Sequence, residues 1–113
     1  MRKSIMTGFA AAGLATLMVP VAAWAGDEDD ARVAIAAARA KLDAGEKAGV
    51  GGNAADVQAR GRAALDKAMA AFKHDEDRSA VVLAHQADAL ADLAQATAEL
   101  RTLETERDKL AAR

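Results

Sequence analysis

The sequence predicts an all-α fold: an antiparallel helical hairpin or a three-helix bundle, with a long C-terminal helix that extends as a coiled coil. Three observations predict it. Alanine, the strongest helix former, is the dominant residue of the chain. The single proline is Pro20, so nothing downstream of it breaks a helix by removing a backbone donor. Beyond residue 30, apolar residues recur at the three- and four-residue spacing of a helix face.

The first element is a leader rather than part of the fold. Met1-Arg2-Lys3 is positive, the stretch from Ile5 to Ala23 is apolar, and Ala23-Trp24-Ala25 is a small-x-small triplet before the acidic run Gly26-Asp27-Glu28-Asp29-Asp30. These are the three parts of a secretory signal. Residues 1–25 are therefore expected to be a signal peptide cut after Ala25. The expected location is the periplasm, with no stable membrane insertion after cleavage. The apolar stretch is about long enough to span a bilayer, but Gly13 and Pro20 loosen it, so cleavage is expected over anchoring. The chain has no cysteine, so neither a disulfide nor a lipid on an N-terminal cysteine is available.

Residues 26–113 are expected to be one alanine-rich helical domain, with helices at about 29–48, 54–73 and 78–111. In the first, Ala31, Ile35, Ala38 and Leu42 form one stripe, and the acids of Asp27 to Asp30 suit the positive end of its dipole. Gly49-Val50-Gly51-Gly52-Asn53 breaks the pattern. A glycine here permits a left-handed exit, and Asn53 is expected to cap the second helix. That helix carries Val57, Gly61, Leu65 with Ala64, Ala68 and Phe72 on one side, where Gly61 would let another helix approach closely. His74-Asp75-Glu76-Asp77 separates it from the third, with Asp75 or Asp77 as the expected cap.

The third helix would be about 50 Å long against about 30 Å for each of the others, so it should overhang them. Its first half is alanine-rich and its second half, from Glu99, strongly charged. Leu93, Leu100, Leu103 and Leu110 lie on one side and form the candidate interaction face, with Arg107 interrupting the seam. Glu104 with Arg107, and Glu106 with Lys109, have the spacing of helix-surface ion pairs. The few bulky side chains are expected to serve in joining helix to helix.

Composition narrows the function. The chain has 15 Lys+Arg and 17 Asp+Glu; without Arg2 and Lys3 the remainder carries 13 basic and 17 acidic residues, a net charge of −4. Nucleic acid, which needs a basic footprint, is not an expected partner. There is no tyrosine, Trp24 lies in the leader, and Phe72 is the sole aromatic after it. Ligand pockets normally lean on aromatic walls, so no cofactor is expected.

Candidate chemistry is sparse. His74 and His85 are the only histidines, and without cysteine or a His-x-x-x-His pair they are expected to be solvent-exposed rather than metal ligands. Asp27 to Asp30 lacks the alternating ligands and central glycine of a calcium loop. Gly49 to Gly52 precedes a helix, but no strand leads into it and no Gly-Lys-Ser/Thr follows, so a turn is expected in place of a phosphate loop. Ser79 has no base beside it in sequence. Neither catalytic residues nor an enzyme are expected.

Leu65-Asp66-Lys67-Ala68, Ala80-x-x-Leu83-Ala84-x-x-Ala87 and Ala91-x-Leu93-Ala94 together resemble the bacterial envelope family called domain of unknown function 4398. The resemblance covers about Ala31 to Glu106, and Leu90 departs from it where a polar or acidic residue is usual. It implies a short exported helical protein of the cell envelope; relatives include lipoproteins and proteins joined to OmpA-like peptidoglycan-binding domains. The expected role is a structural or protein-interaction module, whose partner is protein, either an envelope protein or a second copy in a homo-oligomer. A holdase-like periplasmic chaperone and a weak metal-binding or stress-response protein are the alternatives.

Overall fold

The computed structural model describes residues 26–113; the expected signal peptide and its cleavage point lie outside the described residues. The described chain is all α-helix, with no strand. Four helices follow one another: α1 (Asp27–Lys47), α2 (Val50–Asn53), α3 (Ala55–Lys73) and α4 (Asp77–Ala111). The three long ones match the expected helices to within about two residues, the ordinary uncertainty of helix ends. The added element is α2, a single turn inside the glycine-rich connection.

Cross-helix contacts define the topology. Asp27 lies beside Arg78, and Lys41 beside Asp88 and Asp92, so α1 and α4 run parallel. Arg62 reaches back to Asp43 and Glu46, and Asp56 meets Arg101, so α3 runs antiparallel to both. Of the two architectures left open by the sequence, the fold is the up-down-up three-helix bundle.

The connections explain where each helix stops. Gly49 adopts the left-handed conformation (φ 84°) that ends α1, as expected of a glycine there. Val50 and Ala54, both buried, seat the short α2 against the bundle. Two expected caps are corrected. Asn53 does not cap α3: its Nδ2 donates instead to Thr102 Oγ1 of α4 at 2.8 Å. Neither Asp75 nor Asp77 caps α4, which starts after Glu76 without a side-chain cap and has Asp77 as its first residue. Asp75 instead closes α3. It takes the left-handed conformation (φ 59°), its N–H donates to Phe72 O at 3.1 Å, and the Glu76 N–H donates to Ala71 O at 2.9 Å. That paired arrangement satisfies the last carbonyls of α3, and aspartate is among the few residues that tolerate the left-handed region.

The core is small-sided. Ala31, Ile35, Ala38 and Leu42 of α1 are all buried, as are Val57, Gly61, Ala64, Leu65 and Ala68 of α3. From α4 the buried residues are Ala80, Ala84, Ala87, Ala91, Ala94 and Ala98. Their spacing alternates strictly between four and three, the repeat of a coiled-coil seam built from methyl groups. Gly61 marks a close approach: a Cβ there would fall 2.8 Å from Leu42 Cδ2 and 3.5 Å from Leu90 Cβ. Leu90, half-buried, packs against both parts of the core and joins them. Among the described residues the buried polar one is Gln58, and its Nε2 donates to Leu42 O at 2.8 Å.

Candidate interaction face

Ion pairs fix α4 against its neighbours at three levels. At the bottom, Arg78 lies 3.5 Å from Asp27. In the middle, Lys41 Nζ lies 3.0 Å from Asp88 and 2.9 Å from Asp92. Its ammonium is held above the usual lysine range, first by the hydrogen bond to Asp92 and then by that to Asp88. At the top, Arg101 donates to Asn53 O at 2.7 Å and to Asp56 Oδ1 at 3.1 Å. The Arg101 hydrogen bond holds the Asp56 carboxyl below the usual carboxylate range. Arg62 ties α3 to α1 in the same manner, through Asp43 and Glu46, which raise its pKa in that order.

Above the Arg101 and Thr102 contacts α4 leaves the bundle, with only the Gly49 corner beside Leu103 and Glu106. Every residue from Glu99 to Arg113 is exposed, and Ala98 is the last buried one. Leu103 to Ala111 therefore projects about 14 Å at 1.5 Å per residue. Leu93, Leu100, Leu103 and Leu110 are 47%, 59%, 62% and 65% exposed. Leu93 and Leu100 lie two positions along from Ala91 and Ala98 of the alanine seam, on the opposite side of the helix at about 100° per residue, and Leu103 and Leu110 follow at helical spacing on that same side. The structure thus brings the four leucines onto one outward face.

The expectation that bulky side chains serve to join the helices of the fold is corrected for half a dozen of them. Val33 and Val82, 68% and 66% exposed, stand outside with the four leucines. The helices are joined chiefly by alanine, because a methyl seam lets backbones approach more closely than leucine would. The expected surface pairs are corrected too: Arg107 pairs with Asp108 at 3.2 Å, and Glu99, Glu104 and Glu106 make no ion pair among the described residues.

Beside the leucine face lies an open groove of about 440 Å³, where the Gly49 corner meets α4. Its lining mixes apolar residues, among them Val50, Ala98 and Leu103, with the acids Glu99 and Glu106 and with neutral polar side chains. Sequence reading missed this groove, since it depends on how the short α2 turns back toward α4.

The other candidates sit apart. His74 caps the C-terminal end of α3 and His85 lies on the surface of α4; both are exposed. Among the described residues no three His, Cys, Asp or Glu side chains converge as a metal site would require. Asp27 to Asp30 form the first turn of α1, and Ser79 lies exposed in the first turn of α4. No helix among the described residues is long and apolar enough to cross a membrane. Comparison with family models, with curated proteins and with solved structures finds no match.

Proposed function

We propose that residues 26–113 form a structural or protein-interaction module of the bacterial cell envelope, which acts in the periplasm after export and binds a protein partner through the leucine side of α4. One observation carries the reading. Four of the six leucines of α4 face outward, on and next to the segment that leaves the bundle, while its buried residues are all alanine. A surface leucine in isolation is ordinary, but a row at helical spacing marks an interaction surface. The signal-like sequence of residues 1–25 and the resemblance to the domain of unknown function 4398 family support the envelope assignment and membership of that family. The module is not an enzyme and takes no cofactor.

The test is photo-crosslinking in living cells from position 100, with and without Leu103→Asp, and N-terminal sequencing of the protein recovered from the periplasm. A sequence starting at Gly26 and one defined crosslinked protein, lost with Leu103→Asp, are expected. Retention in the cytoplasm sinks the envelope reading. A strict monomer with no crosslinked partner sinks the interaction reading, and suppression of a denatured client's aggregation would transfer it to a holdase-like chaperone.

A further inference from the structure

The leucine face has flanks of a single sign, and these specify its partner. In the heptad that contains Leu93, Ala96, Leu100, Leu103, Arg107 and Leu110, the positions bordering the seam in the overhang are Glu99 and Glu106 on one side and Glu104 on the other. All three are exposed and make no ion pair among the described residues. The nearby cations do not neutralise them. Arg101 is turned away into its contacts with Asp56 and Asn53, and Lys109 falls on the side of the helix opposite the leucines at about 100° per residue. Arg107 alone lies within the seam. The groove at the Gly49 corner adjoins the surface on the Glu99 and Glu106 side and has both glutamates in its lining, with Val50, Ala98 and Leu103 as apolar neighbours.

A second copy of the chain fits this surface poorly. In a parallel pair, Glu99 would face the Glu104 of the copy and Arg107 would face Arg107 in the seam; in an antiparallel pair, Glu99 and Glu106 would share one flank. Either arrangement sets acid against acid. An anionic bilayer is disfavoured by the same charges.

We propose that the Leu93–Leu110 strip of α4 is the docking site for a basic amphipathic helix of another protein: an apolar seam flanked by Lys or Arg, with one Asp or Glu where it meets Arg107. This rests on the interaction reading above and names the partner's chemistry. Leucine supplies the contact, and the flanking charges select the partner and its orientation.

The experiment titrates protein purified from cells expressing the full chain against two labelled synthetic helical peptides. Both carry the same leucine seam; one has lysine at every flanking position, the other glutamate. The lysine peptide should bind about tenfold or more tightly than the glutamate peptide, the cumulative effect of several exposed ion pairs, and should weaken with added salt. The double variant Glu99→Lys, Glu106→Lys should reverse the preference. Leu100→Asp should abolish binding with the helical circular dichroism and melting temperature unchanged. Equal binding of both peptides, binding of neither, a dimer dispersed by Leu100→Asp, or binding to phosphatidylglycerol vesicles would each overturn the proposal. The two readings fail separately. A partner crosslinked in cells through a segment that is neither basic nor helical refutes this inference and leaves the interaction module standing, whereas no partner at all refutes both.

Discussion

The two halves of α4 use apolar side chains in opposite ways. From Asp77 to Ala98 the buried residues are alanines at every four-then-three step, with Val81, Leu83 and Leu90 packed half-buried beside them. From Glu99 to Ala111 nothing is buried, and the apolar residues are leucines that face the other way. The outward face, which begins at Leu93 across the helix from the alanine seam, continues beyond Ala98 where the buried face stops. Small side chains serve internal packing because three helices must approach closely around Gly61 and Leu42. Large ones serve where their area is offered outward. Stability and recognition thus reside on separate faces, and substitutions should act on one with little effect on the other.

The largest expected effect is on the bundle half. Leu42 is fully buried in the core, against Gly61. Leu42→Ala should cost about 2–5 kcal/mol, as removal of a buried leucine typically does. Denaturant unfolding monitored by circular dichroism measures this, and a loss under about 1 kcal/mol would show that the core is not organised around that residue. Ala84→Leu inverts the alanine rule in place. Ala84 has no exposed surface, so three added carbons must displace α1 or α3, at about 1–3 kcal/mol. A neutral result would mean the seam is looser than the structure shows.

A smaller effect, about 1 kcal/mol, is expected from Gln58→Ala. Its side-chain amide donates to a carbonyl of α1 from within the core, and a single such bond contributes about this much. On the overhang half, Leu100→Asp with Leu103→Asp should change unfolding free energy by no more than about 0.5 kcal/mol, as for other exposed positions, while removing partner capture. A large loss of stability from that pair would erase the distinction between the halves.

How much of this was legible in the sequence follows from how local each feature is. The stripes of α1 and α3 were legible because they combine bulky residues with alanine at helical spacing, and Gly61 was legible because a glycine inside a stripe marks close approach. The alanine seam of α4 was not. In a segment where alanine occurs on most sides, spacing alone does not tell which alanines face inward; the pairing of Lys41 with Asp88 and Asp92, distant in sequence, helps fix that orientation. The role of Asp75 at the end of α3 is not legible in sequence because it depends on a positive φ that aspartate only occasionally adopts. The leucines of the overhang could be placed on one side from spacing, but their exposure depends on where α1 and α3 end beside them.

The smallest effect, and the one that joins the two halves, is on pH dependence. Asp56 is held below the ordinary carboxylate range by Arg101, at the top of the bundle just before α4 leaves it. A carboxyl whose folded pKa is depressed contributes stability above its unfolded pKa, and that contribution is lost as pH falls through the folded value. Lys41 is the reverse case: its folded pKa is raised by Asp92 and Asp88, so its contribution is present below the unfolded lysine value and lost as pH rises through the folded one. Acid should therefore weaken the contact of α4 with α3 at the top, and alkali should weaken its contact with α1 in the middle, each by the small amount an exposed ion pair supplies. Amide hydrogen exchange followed against pH would show this as loss of protection near Arg101 and Thr102 at the acid end, abolished as a pH-dependent change by Asp56→Asn. Near Asp88 and Asp92 the loss should come at the alkaline end, and Lys41→Gln should abolish it. If both regions lost protection together at either extreme, α4 would be opening as one unit, and the boundary between its packed and projecting halves would not be set by the Arg101 contact.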